Sequence, residues 1–160
     1  LIIDNGTTTS YFARELLKKR NLAVVTNSSD IARTLATVNG NRVYLAGGEV
    51  NGSNGGAFGP SALAFASGFH VRHAVISIAA VDTVSGFADF ELAEAEFARM
   101  VISCGEESMV LTDSSKFGRK ALIKVCGFDE INTLVTERAP QQRLDEAFRA
   151  ANLRCDVAMP

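Results

Sequence analysis

Little in this chain could grip nucleic acid or a membrane unaided. Sixteen lysines and arginines stand against eighteen acids, a formal net charge of −2, and no basic stripe breaks that balance. Phosphate neutralisation supplies most of the affinity of a DNA-binding module, so this chain alone is expected to show no salt-sensitive DNA binding. No apolar run approaches the ~20 residues of a membrane span, and no charged-then-apolar signal segment opens the sequence. Histidine is scarce. His70 and His73 are the only two, with no third ligand beside them, which argues against a metal site. The three cysteines, Cys104, Cys126 and Cys155, are odd in number and far apart. Disulfide scaffolds and zinc sites need closer clusters, so these read as reduced, small hydrophobes of a cytoplasmic protein.

What is present fits one globular domain. The 160 residues are 47% hydrophobic and 21% charged, enough to build a single core without covalent staples. The first residues, Leu1-Ile2-Ile3-Asp4, look like a strand already under way, so the chain is expected to be a piece of a longer protein. Apolar runs rich in β-branched residues then alternate with helical patterns. Strands are expected at Leu1 to Asp4, Leu22 to Thr26, Arg42 to Ala46, Ala74 to Ala80, Ser108 to Thr112 and Thr133 to Thr136, with a last short one from Leu153 to Val157. They are continuous apolar stretches, as parallel strands covered on both faces should be. Helices are expected at Thr7 to Lys19, Ser29 to Val38, Pro60 to Ser67, Glu91 to Ser103 and Gln141 to Ala151. This order predicts an α/β fold with an open, mostly parallel sheet and helices on both faces. Only Gly47 to Gly59 is long, glycine-rich and without periodicity, the mark of a binding loop.

Several strand ends carry polar chemistry. Asp4-Asn5-Gly6-Thr7-Thr8-Thr9-Ser10 joins a strand to a helix. Glycine permits a sharp turn, the next amides point out of the helix N-terminus, and Thr7, Thr8 and Thr9 add hydroxyls. That composition suits an anion cradle, although one threonine would also serve as an ordinary N-cap. The segment lacks the endings of a Walker loop or a dinucleotide fingerprint. Thr26-Asn27-Ser28 ends the second strand, where a helix cap is the alternative, and Gly47-Gly48-Glu49 ends the third, where a plain turn is. Ligands of open α/β sheets bind beyond the carboxyl ends of the strands, so all three loops belong to one rim. Asp82, with Gly86 in the next turn, and Glu94 are candidates for bonding hydroxyl groups, whereas Glu96 reads as a dipole complement. Lys116, within Asp113-Ser114-Ser115-Lys116-Phe117-Gly118-Arg119, follows another strand end. It is either a counter-ion for an anion in the cradle or a solvated surface charge.

These segments, in this order, resemble the effector domain of the DeoR family of bacterial transcriptional repressors. The resemblance runs from Ile3 to about Glu137. It is carried by Asp4-Asn5-Gly6-Thr7-Thr8-Thr9, Val25-Thr26-Asn27-Ser28, Leu45-Ala46-Gly47-Gly48-Glu49, Gly59-Pro60, Asp82 with Gly86-Phe87, the Asp113 to Arg119 segment and Leu134-Val135-Thr136. It implies the fold of ribose-5-phosphate isomerase and glucosamine-6-phosphate deaminase. It also implies that residues 1–160 are one ligand-sensing domain for a phosphorylated sugar or polyol, without a cofactor. Operator DNA would be bound by a winged helix-turn-helix N-terminal to this sequence, and the full protein would be a homo-oligomer. The Phe90 to Met100 stretch is nearest to the glycerol-3-phosphate repressor branch, which makes glycerol 3-phosphate a candidate effector. Two departures stand out. Family members commonly carry a lysine where this chain has Ala98, and glycines where it has Ser77 and Ala80. The missing cation implies a smaller or less charged ligand, or the use of Lys116 or Arg99.

An aldose-ketose isomerase is the competing reading, because that fold hosts such enzymes. The chemistry needs a carboxylate base and a cation near the reacting carbon, roles open to Asp82, Glu94 and Lys116. No candidate loop holds a histidine, and Ala98 removes one electrophilic partner, so a non-catalytic sensor is expected. An oligomerisation module with a vestigial pocket is the third reading.

Overall fold

The computed structural model describes residues 1–158. The strands expected from the sequence assemble into one seven-stranded, wholly parallel sheet. They are β1 (Ile2–Ile3), β2 (Ala23–Thr26), β3 (Arg42–Leu45), β4 (Val71–Ser77), β7 (Gly105–Leu111), β9 (Thr133–Thr136) and β10 (Arg154–Val157). Between them run α1 (Thr7–Glu15), α2 (Ser29–Leu35), α3 (Pro60–Ala66), α4 (Leu92–Cys104) and α5 (Gln142–Ala150). A 3-10 turn, Leu16–Lys18, finishes the stretch expected to be all α-helix up to Lys19.

Alternation within each strand feeds two cores. Ile2, Val25, Ala74, Ile76 and Val110 point to one face, which α3, α4 and α5 cover through Ala62, Phe97, Val101 and Phe148. Ile3, Val24, Val75 and Leu111 point to the other, which α1 and α2 cover through Ala13, Ile31 and Leu35. Burial on both faces is why these strands read as unbroken apolar runs. Cys104 and Cys126 are buried and Cys155 is half-buried, all as free thiols. Burial pushes the Cys126 thiol up to about 12.

The sheet order is β10-β9-β7-β4-β1-β2-β3. The chain starts at β1, moves outward through β2 and β3, then returns to β4 and moves outward the other way. The switch point therefore lies between β1 and β4. Loops leaving those two strands diverge to opposite faces and open a crevice at their carboxyl ends.

A second, antiparallel sheet was not expected: β5 (Ala80–Asp82), β6 (Gly86–Asp89) and β8 (Ile123–Cys126), in the order β5-β6-β8. The run expected as one strand from Ala74 to Ala80 divides here. Its parallel part begins earlier and stops at Ser77, and Ala80 already belongs to the small sheet. That sheet packs Val81, Phe87, Val125 and Cys126 into the larger core. Gly86 turns β5 into β6 at φ +75°, and a Cβ there would sit 2.6 Å from the Cys126 carbonyl oxygen. Only glycine meets both conditions. His70 and His73 lie just before and within β4, near Glu106 and Glu107 at 3.7 and 3.4 Å.

Candidate functional site

A cleft of about 750 Å³ opens at the switch point. Asn5 to Thr8 leave β1 on one side, and Ser77 to Ala79 leave β4 on the other. α1 starts directly on the cleft. Its N-cap, Gly6, has no side chain to offer the first amides, and Ser10 N is the first to bond back, to the Gly6 carbonyl at 2.9 Å. Among the described residues, no acceptor faces the amides of Thr7 and Thr8. Gly6 is dictated by space. A Cβ there would collide with Ser77 Oγ and lie 2.9 Å from Ser77 Cβ. The Ser77 hydroxyl thus sits against the helix start, on the cleft wall.

The lining divides into two chemistries. The first is electropositive or donor-rich: the α1 N-terminus, Thr7, Thr8, Ser10, Arg14 and Lys116. Arg14 lies 5.1 Å from the centroid of the Tyr11 ring, which holds the guanidinium without neutralising it. Lys116 has 29% of its side chain exposed and stands 4.0 Å from Asp113, at the limit of an ion pair. The second chemistry is acidic. Asp89, at the end of β6, and Glu94, in the first turn of α4, both line the cleft. Burial, then repulsion from Asp89, raises the Glu94 carboxyl to about 7, and burial raises Asp89 as well. Asp4 lies just behind, with its carboxylate accepting from Ser77 N at 3.0 and 3.1 Å. Its desolvation outweighs those bonds and holds its pKa well above the usual range.

The sequence candidates separate into three groups in space. Gly6, Thr7, Thr8, Glu94 and Lys116 line the cleft together. Asp4, Thr9, Thr26 and Asn27 are buried behind it and shape its loops. The Thr9 hydroxyl donates to the carbonyls of Asp4 and Gly6, and Thr26 Oγ1 accepts from Ser28 N. Asn27 accepts from Asn5 N at 2.9 Å and donates to the Ala57 carbonyl at 2.9 Å, so it ties the α1 loop to the glycine-rich loop. Ser28 takes the capping role, accepting from Ile31 N. Gly47, Gly48, Glu49, Asp82 and Gly86 are not in the cleft lining. From the glycine-rich loop it is Ser53 and Asn54 that reach the cleft, and Asn54 Nδ2 donates to Glu94 Oε1 at 3.0 Å.

Sequence reasoning missed several lining residues. Tyr11 and Arg14 follow Thr7 by four and seven residues, one helical face, so that spacing could have found them. Asp89 depends on the unanticipated small sheet and gave no signal. Ala98 is 2% exposed within the larger apolar core and does not line the cleft. In this packing the ammonium of a lysine there would start from a buried position, at a desolvation penalty. Of the two cations that could stand in for the missing lysine, Lys116 lines the cleft and Arg99 does not.

Comparison with known proteins agrees with this architecture. A family model described as the DeoR C-terminal sensor domain matches residues 1–138. The glycerol-3-phosphate regulon repressor of Escherichia coli (strain K12) is 33% identical over 140 residues, 88% of this chain and 56% of that protein. The HTH-type transcriptional repressor CsqR of the same organism is 25% identical over 160 residues, 100% of this chain and 60% of the relative. The HTH-type transcriptional repressor GlcR of Bacillus subtilis (strain 168) is 28% identical over 142 residues, 89% and 54% respectively. The chain thus spans between 54% and 60% of the length of these relatives. With an open parallel sheet, a cleft at its switch point and a family match over most of its length, this chain belongs to the DeoR family, as its C-terminal sensor domain.

Proposed function

We propose that the switch-point cleft binds a small phosphorylated sugar or polyol and that the domain acts as the effector sensor of a repressor of carbohydrate metabolism. The observation that carries this is the pairing of unpartnered α1 amides with two cations, Arg14 and Lys116, in one cleft. The phosphate sits on the helix N-terminus, where backbone dipoles and donors favour an anion. Asn54, Asp89 and Glu94 then offer acceptors and a donor to hydroxyl groups at the other end of the ligand. Glycerol 3-phosphate is a fitting effector, in line with the relative named for that regulon. Operator DNA is bound through a segment outside this chain, consistent with the helix-turn-helix type named for two relatives. The setting is cytoplasmic, and none of the helices here is long and apolar enough to cross a membrane among the described residues.

Binding here is not accompanied by chemistry. One observation favours the isomerase alternative: Glu94, raised to about 7, lies in the range of a general base. Solvent deuterium entering a bound sugar phosphate would establish that alternative, whereas the sensor leaves the ligand unlabelled.

Lys116→Ala tests the phosphate assignment. A charge-assisted bond to a partly desolvated phosphate is worth enough that its loss should weaken a phosphorylated ligand roughly ten- to hundred-fold. The unphosphorylated parent should change little, as read by calorimetric titration of both. Equal, small effects on the two ligands would reduce Lys116 to a surface charge.

The full protein is a homo-oligomer in this reading. Tyr44 and Leu45 on the edge strand β3 and Phe65 on α3 are exposed, and Phe69 links them, its ring tilted against those of Tyr44 and Phe65 at 5.1 and 5.4 Å. Exposed aromatic clusters of this kind mark association surfaces. Phe65→Asp should lower the molar mass measured by light scattering. An unchanged mass would place the interface elsewhere.

A further inference from the structure

A second cavity, of about 300 Å³, lies beside the cleft on the far side of the Ser114–Lys116 turn. Lys116 faces the cleft, whereas Ser114, Phe117 and Gly118 face the second cavity. Its other walls are the β5–β6 turn, with Asp82 and Thr83, and the segment from Arg138 to the start of α5, with Arg143.

The charges here are unevenly satisfied. Asp82 accepts from Val84 N at 3.0 Å and Ser85 N at 3.2 Å, bonds within its own turn that hold its pKa below the usual range. Glu137, next in sequence to Arg138, is committed to Ser114, accepting from its amide at 2.9 Å and from its hydroxyl. Those bonds hold Glu137 down to about 2. Both acids are occupied by backbone and hydroxyl donors rather than by arginine. Among the described residues, neither the Arg138 nor the Arg143 side chain forms an ion pair or a hydrogen bond. Arg33, Arg149 and Arg154 each stand within 3.4 Å of an aspartate, whereas Arg14, Arg20, Arg42, Arg72 and Arg119 share with Arg138 and Arg143 the lack of an ion pair, so what sets these two apart is the one cavity they both line.

We propose that this second cavity, lined by Arg138 and Arg143 with neither guanidinium in an ion pair and with Asp82 turned to its own loop amides, is an anion site for a small phosphate-type dianion. Guanidinium is the side chain best matched to it, because its planar fork donates two parallel bonds to one oxyanion. The Thr83 hydroxyl and the Gln141 amide border the same space and supply neutral donors. The volume admits a phosphate or a short phosphorylated chain. The site is separate from the effector cleft and does not depend on its assignment.

Inorganic phosphate is the probe, added to this chain at constant ionic strength with chloride as the balancing anion. Backbone amide resonances report the two places independently: Thr7 and Thr8 for the cleft, Thr83, Gly118 and Arg143 for the second cavity. The expected result is saturable shifts at the second set, with a dissociation constant different from that of the first. The Arg138→Ala, Arg143→Ala double variant should abolish saturation at the second set and leave the first intact. Both arginines are exposed, so the substitutions spare the core. Shifts confined to the α1 amides, or shifts at Gly118 that never saturate, would overturn the proposal. Saturation at the second set alone would uphold it while contradicting the phosphate assignment of the cleft.

Discussion

Thr8→Glu should abolish binding of phosphorylated ligands, by at least roughly a hundred-fold, and leave the melting temperature almost unchanged. The two halves of that expectation have one cause. Thr8 is the second residue of α1, half-buried on the cleft wall, and its hydroxyl forms no bond inside the protein. A carboxylate in the first turn of a helix is favoured by the dipole, so the fold loses nothing. That carboxylate occupies the place reserved for the phosphate, and two anions cannot share one helix N-terminus at close range. Thr8→Ala is the control, removing one donor without adding charge, and its effect should be about tenfold at most. Calorimetric titration beside a melting curve separates the outcomes. Retained affinity in Thr8→Glu would place the phosphate elsewhere. A collapsed melting temperature would show that Thr8 is structural.

Ligand affinity should also fall as pH rises from about 6 to 8, and Glu94→Gln should flatten that dependence. The lining carboxylates explain why. Burial, and repulsion from Asp89, hold Glu94 near 7, so the pair carries a proton below neutrality and loses it above. Charged groups around the pair are Asp4 just after β1, Glu91 just before α4, Asp30 from α2, Asp113 and Lys116 at the Ser114–Lys116 turn, and Arg14 from α1. An approaching phosphate dianion adds negative charge, which favours the protonated pair, so binding is coupled to proton uptake. Affinity then drops by at most about tenfold per pH unit, the limit for one proton. Folding stability follows the same sign. The folded pKa of Glu94 exceeds its unfolded value, so its stabilising contribution is complete below the unfolded pKa. That contribution is lost as pH rises through about 7. Glutamine keeps the acceptor for Asn54 and cannot titrate. An unaltered pH profile in Glu94→Gln would assign the titration to another group.

The main sheet was legible because burial on both faces leaves a plain record. Val24-Val25 and Val75-Ile76 send neighbours to opposite cores, and both must be apolar. The small sheet left no such record. All four residues of Gly86-Phe87-Ala88-Asp89 are buried, yet a glycine and an aspartate bracket them, so neither an apolar run nor an alternation appears. Asp89 reaches the cleft through that sheet and was therefore invisible. Gly6, Thr7, Thr8 and Lys116 were legible because strand-to-helix junctions of a parallel sheet must meet at one rim. What sequence could not resolve was the direction of a polar side chain there. Asn27 and Thr9 turn inward to hold loops together, whereas Thr7 and Thr8 turn outward. Composition is the same in both cases, and only the tertiary hydrogen-bonding partners tell them apart.

The central claim is that the cleft recognises a phosphate ester. A thermal-shift series addresses it most directly, with phosphorylated sugars and polyols, glycerol 3-phosphate included, each beside its unphosphorylated parent. A ligand present at a hundredfold excess over its dissociation constant adds ~2.7 kcal/mol to stability, which a melting curve resolves easily. The expected result is a raised melting temperature with at least one phosphorylated compound, no rise with its parent, and no rise with either in Thr8→Glu. Equal shifts with phosphorylated and parent compounds, or a shift that survives in Thr8→Glu, would contradict the phosphate-binding cleft.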